Sequence, residues 1–223
     1  MELSLSSVPD VLARIGSAHD VAFGTYFLPH GATRDALNAA ARRGTHVTVT
    51  LQRDPYRNPY GARANAEAAR ELREAGAEVT LLPSDRVPFH LKAAVCDGVA
   101  YLDDRNWTKR GPEIVVRDED PSDVVLVRDA LAGRGGADAA LATRKDVALQ
   151  REIELVERAG MNVPVIVETE TVATSPLTRA LERRARAGAP TTVVVGSTAR
   201  GSREQRSAIA KLRAGGVTVS SGG

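Results

Sequence analysis

Phe89-His90-Leu91-Lys92-Ala93-Ala94-Val95-Cys96-Asp97 is an apolar run carrying a histidine and a lysine two positions apart. On a β-strand that spacing sends both side chains to the same side. Gly98 follows Asp97, and Asp-Gly is a strong turn dipeptide, so residues 89–96 and 99–102 read as a hairpin. Histidine titrates near neutral pH and can act as nucleophile or proton carrier. Lysine is a fixed positive charge suited to a phosphate. Asn106 stands nine residues beyond Asp97, inside Asp103-Asp104-Arg105-Asn106-Trp107. Together these groups point to phosphoryl chemistry.

Outward from the hairpin, strands and helices alternate. The β-branched and aromatic run 21–28 reads as a strand that Pro29 and Gly31 end. Thr33 is the expected N-cap of a helix through Arg43, stopped by Gly44. Residues 47–51 alternate as a half-buried strand should, 62–75 form a helix, and 79–82 a third strand. Residues 114–116 add a short strand, and helices dominate 123–160. The order then restarts: strand 163–167, helix 176–186 opened by Pro176, strand 192–195, helix 203–213, strand 217–219. Residues 70–76 (RELREAG) align with 209–215 (IAKLRAG), which reads as an internal duplication of βα units.

With 223 residues and 43% hydrophobic content the chain can bury a real core. A net charge of +2 is far from the basic bias of a dedicated nucleic-acid binder. A single cysteine, Cys96, excludes an internal disulfide framework, and its apolar strand makes it a small buried hydrophobe. No apolar run reaches the length of a membrane span. The N-terminus has neither a basic n-region nor an apolar h-region, so a cytoplasmic protein is expected, with peripheral membrane association as its variant.

The pattern H-x-K, four residues, D, a turn, a strand and then N resembles the HKD signature of the phospholipase D superfamily, here His90, Lys92, Asp97 and Asn106. The likeness is most specific over residues 89–116. It implies an α/β fold: a duplicated β-α-β sandwich with a central mixed sheet in each half. Residues 1–120 would form the first repeat, 121–160 a helical connection, and 161–223 an incomplete second repeat. His90 lies eleven residues after Val79, and only six residues follow the matching Val217, so the second repeat carries no H-x-K of its own. Asp103 and Asp104 stand where the family has small residues, and are expected to point away from a phosphate or to pair with Arg105 or Lys109.

The resemblance further implies cleavage of a phosphodiester through a covalent phosphohistidine on His90. Lys92 and Asn106 would hold the nonbridging oxygens, and Glu113 would orient the imidazole. Asp97 would be structural. No metal or cofactor is implied. The proton for the leaving oxygen would come from a second HKD half, in a further C-terminal segment or a homodimer. A phospholipid is the expected substrate, for hydrolysis or phosphatidyl transfer. The alternatives are a metal-independent nuclease of the same superfamily and an inactive binding or scaffold domain. Outside the motif, His30 follows the first strand at its carboxyl end, where open α/β sheets place ligands. Tyr56, with Tyr60, sits on a proline-rich loop that could rim the site. Arg42, Arg43, Arg53, Arg57 and Arg63 read as exposed charge first and as an anion-attracting cluster second.

Overall fold

A computed structural model describes residues 3–55, 59–83, 89–103, 105–107, 115–134, 145–196 and 201–221. The chain forms two compact units, residues 1–143 and 144–223.

The first unit holds β1 (Leu3–Ser6), α1 (Val8–Ser17), β2 (Asp20–Thr25), α2 (Ala32–Arg42), β3 (His46–Gln52), α3 (Pro59–Glu74), β4 (Glu78–Leu82), β5 (Ala93–Cys96), β6 (Val99–Asp103), β7 (Val115–Asp118) and α4 (Pro121–Leu131). Seven strands make one sheet in the order β1-β7-β6-β5-β2-β3-β4. β2, β3 and β4 run parallel, as crossover helices require. The others pair antiparallel, so the sheet is mixed.

Alternation along the central strands feeds two cores. Val21 and Phe23 of β2, with Ala94 and Cys96 of β5, join the core that also takes side chains of α1, α2 and α3. Ala22, Ala93, Val95 and Ala100 turn the other way and meet Val124, Val127 and Leu131 of α4. Gly24 sits on that second face, where an added methyl would overlap Leu131 and the ring of Phe89. The small residue thus lets Phe89 lie against the sheet. Burial pushes the Cys96 thiol up to about 12, so it packs as a hydrophobe and is not a reactive group.

The Asp97-Gly98 hairpin is present: both residues have positive φ, 46° and 85°, as a type I′ turn needs. Strand pairing in this hairpin is shorter than the sequence suggests. β5 starts at Ala93, so His90 and Lys92 precede the strand. The ladder to β2 ends at Gly24↔Ala93, and on the other side Asp103 N donates to Lys92 O at 2.9 Å. Thr33 is not the N-cap of α2. Gly31 occupies that position, and the buried Thr33 hydroxyl donates to Trp107 O at 3.0 Å. β1 and α1 carry no expectation from the sequence, although Ser7 and Asp10 form a capping box at the start of α1.

At the amino end of β2, His46 donates to Asp20 at 2.8 Å and Arg128 pairs with the same carboxylate. Burial by itself would raise the Asp20 carboxyl. The hydrogen bonds and charges of His46 and Arg128 outweigh it and hold the group below the usual carboxylate value.

The second unit contains α5 (Lys145–Arg158), β8 (Val165–Thr169), α6 (Pro176–Arg186), β9 (Thr191–Val195), α7 (Arg203–Ala214) and β10 (Thr218–Ser221). Its sheet, β10-β9-β8, is parallel throughout, where a mixed sheet was expected in each half. The described strands there are those of a βαβαβ run, and each crossover helix returns the chain to the same end of the sheet, so the strands run parallel. The same succession, β2-α2-β3-α3-β4, builds one flank of the first sheet, as the internal repeat leads one to expect.

Arg184 fastens the turn between α5 and β8. Its side chain is buried and donates to Ala159 O, Gly160 O and Val163 O at 2.6, 2.8 and 2.6 Å. Arg184→Leu fills similar space but leaves those carbonyls without their charged donor. It should lower the unfolding free energy of this unit by about 3 kcal/mol. Urea unfolding followed in residues 144–223 checks this; an unshifted midpoint would refute it.

Candidate active site

The segment Thr25-Tyr26-Phe27 leaves the carboxyl end of β2, and the proposed reacting groups gather around it. The His90 ring is exposed and meets the Tyr26 ring edge-on, with centroids 4.6 Å apart. Lys92 is buried, 8% exposed, and its Nζ lies 2.9 Å from Nδ1 and 3.2 Å from Nε2 of His90. An ammonium only donates, so the ring nitrogen that it faces presents a lone pair. A phosphoryl group set against His90 would therefore also meet Lys92.

Asn106 arrives from the loop after β6. Its Oδ1 accepts from Thr25 Oγ1 and Phe27 N, both at 3.3 Å, which fixes the carboxamide against the same segment. Its two donor hydrogens are at the other end. Asp103 shapes this loop. Its buried carboxylate accepts from Trp107 N at 2.7 Å, and Trp107 adopts φ 57°. Trp107 is itself buried against Phe23, with centroids 5.3 Å apart. Asp103 therefore turns into the protein, toward the Trp107 amide. Asp104 lies outside the described residues.

Asp97 stands at the opposite end of β5. Its Oδ1 accepts from His19 N and Asp20 N at 3.0 and 2.9 Å, and Arg14 pairs with Oδ2 at 3.4 Å. It ties the hairpin tip to the entry of β2 and touches none of the groups above. Glu113 and Tyr56 lie outside the described residues.

A cavity of about 890 Å³ adjoins Asn106. Val8, Leu12, Phe27, Leu28 and Tyr60 give it apolar walls, and His30 and Arg63 also line it. His30 Nε2 lies 3.5 Å from Glu67. His30, Glu67 and Glu71 present ligand-type atoms within 4.8 Å of one another, but Arg34 already pairs with Glu71 at 2.6 Å, so the set reads as an ion-pair network. His30 borders the cavity and has no described contact with His90.

Two residues that sequence reasoning passes over support the site. Asn65, on α3, has no exposed surface. It accepts from Leu28 N at 2.9 Å and donates to Tyr26 O and Gln52 O at 2.9 and 2.7 Å, joining the loops after β2 and β3. Gln52 ends β3, also fully buried, and accepts from Phe89 N at 2.6 Å. A polar side chain at a core position of a helix or strand is the only sequence signal either one gives.

Residues 11–127, just over half of the chain, match a family model described as cardiolipin synthase, PLD-like domain. No curated protein matches the sequence. Among solved structures, the polyphosphate kinase of Porphyromonas gingivalis superposes with a TM-score of 0.65 over 99% of this chain at 16% identity, a likeness of fold. The chain spans 41% of that protein's length. Nuc of Salmonella typhimurium, a phospholipase D family member, gives 0.49 at 20% identity, covering 60% of this chain and 93% of its own. NucT of Helicobacter pylori gives 0.47 at 18%, covering 60% and 94%. No helix among the described residues is long and apolar enough to cross a membrane.

Proposed function

The chain belongs to the phospholipase D superfamily, and from that premise we propose that it cleaves a phosphodiester through a phosphohistidine formed on His90. The observation that carries this reading is the exposed His90 ring beside the buried Lys92 ammonium, 2.9 Å from Nδ1. In the first step a ring nitrogen attacks phosphorus. A P–N bond forms, the P–O bond to the leaving alcohol breaks, and the departing oxygen takes up a proton. In the second step water, or an alcohol, attacks phosphorus. The P–N bond breaks, the incoming oxygen loses its proton, and His90 is restored. Lys92 and Asn106 oppose the charge that builds on the nonbridging oxygens. The resemblance gives Glu113 the role of orienting the imidazole.

The departing oxygen needs an acid. The described site contains one such histidine, and a second copy of the chain presenting its own His90 across a twofold axis would supply it. On this reading, specific activity rises with protein concentration through the dimerisation range. Activity that stays proportional to protein down to a demonstrated monomer would exclude the shared site.

A phospholipid is the substrate this reading favours. The cavity beside Asn106 is walled by Val8, Leu12, Phe27, Leu28 and Tyr60, which suits an acyl or glycerol portion better than a polyanion. The net charge of +2 points the same way. The test is release of head group from phosphatidylcholine and phosphatidylglycerol vesicles in the presence of chelator, beside plasmid DNA under identical conditions. Head-group release with an acid-labile phosphoenzyme supports the proposal. DNA cleavage alone would keep the chemistry and replace the substrate. Turnover of neither, nor of a generic phosphodiester, would leave a binding or scaffold domain.

A further inference from the structure

We propose that Gln52 is the positioning residue for His90. The inference rests on His90 being the reacting group. Gln52 is the last residue of β3, and its side chain is fully buried. Oε1 accepts from Phe89 N at 2.6 Å, one residue before His90. Nε2 donates to Leu82 O at 3.2 Å, at the end of β4. One carboxamide thus holds both the chain leaving β4 and the chain entering the H-x-K segment.

The rest of the surroundings fixes Gln52 itself. Its backbone carbonyl accepts from Asn65 Nδ2 at 2.7 Å. Leu82 O already accepts from Arg53 N at 2.8 Å, so the fold does not depend on the Gln52 donor to satisfy that carbonyl. The acceptor end has a different duty. β5 begins only at Ala93, and four residues earlier the Phe89 amide donates its hydrogen bond to Gln52. On its other side the Phe89 ring lies against the backbone at Gly24. An apolar residue at position 52 would fill the core as well, but it would not set where Phe89, and with it His90, is placed. An in-line attack at phosphorus is sensitive to such placement, and an error of about 1 Å costs on the order of 100-fold in rate.

The experiment compares Gln52→Met and Gln52→Glu with the wild-type chain. Gln52→Met removes the acceptor; kcat should fall by about 100-fold while KM changes by less than about threefold. Gln52→Glu keeps an acceptor for Phe89 N, but it can donate to Leu82 O only when protonated, a form that burial favours. Its kcat relative to wild type should therefore rise as pH falls, and the rise should persist at pH values where urea midpoints show the variant fully folded, which separates positioning from the loosening that an ionised buried carboxylate also causes. ¹⁵N-histidine NMR provides a readout that needs no turnover: the His90 ring signals should move in Gln52→Met and return in protonated Gln52→Glu. If Gln52→Met does not fold, Gln52→Glu alone carries both measurements. Wild-type kcat in Gln52→Met, a loss that Gln52→Glu recovers at no pH, or unmoved His90 signals would overturn the inference. A wild-type chain inactive on every phosphodiester would instead overturn the reading of His90, and the NMR comparison would still decide whether Gln52 positions the ring.

Discussion

His90→Ala should lose phosphodiester turnover by roughly 10³-fold or more and leave the fold intact, because on the proposed mechanism it deletes the atom that would form the covalent bond. The two halves of that expectation have separate causes. The imidazole is exposed, and it precedes β5 where the backbone is held by its neighbours: Phe89 N by Gln52, and Lys92 O by Asp103 N. Removing the ring takes away its edge contact with Tyr26 and its partner at Lys92, but no core packing. The melting temperature should therefore stay within a few degrees of wild type, since about 1 kcal/mol shifts a domain of this size by only a few degrees. Rapid-quench trapping should find the acid-labile phosphoenzyme in wild type and none in the variant. Turnover at the wild-type rate in a folded His90→Ala would end the phosphohistidine mechanism.

Asn65→Ala should act the other way, through the fold. Three hydrogen bonds disappear, and the Leu28 amide and the Tyr26 and Gln52 carbonyls lose this buried partner. Each such group costs about 1–3 kcal/mol if it finds no new partner, so a loss of about 4 kcal/mol is expected after relaxation. That is a large part of the stability of an ordinary domain, about 5–15 kcal/mol. Asn65→Asp separates hydrogen bonding from volume. It has the same shape, but as a carboxylate it turns acceptors toward two carbonyls. It should be at least as destabilised as Asn65→Ala near neutral pH and should recover part of the loss in acid, where a protonated carboxyl can donate once. Urea midpoints measured across pH check both variants. An Asn65→Asp chain as stable as wild type at neutral pH would show that the buried clamp does not hold the two loops.

The first of these predictions could be written from residues 89–106 alone; the second could not. H-x-K, the Asp97-Gly98 turn and Asn106 are local patterns, and local patterns are what a sequence displays. The hairpin follows from two residues that tolerate positive φ. The alternation of strand and helix, and its return after residue 160, follow from hydrophobic periodicity and from glycine and proline stops. Cys96 reads as a core residue and is one, because apolar neighbours in a strand leave it little else to do.

Other features had no local signature. Thr33 has the chemistry of an N-cap, yet its hydroxyl belongs to Trp107, 74 positions away. β1 is four residues long and gains its place by pairing with β7, a partner more than a hundred residues on. His90 and Lys92 were expected within the strand, and the point where β2 departs decides that they precede it. Sequence by itself determined the H-x-K pattern, the turn beside it and the alternating α/β order, since propensity and spacing act over a few residues. Only the tertiary structure decided which buried amides, Gln52 and Asn65, tie together the segments around that pattern. Their partners come from strands and loops distant in the chain, and a buried polar side chain takes its meaning from whatever the fold brings within hydrogen-bond distance.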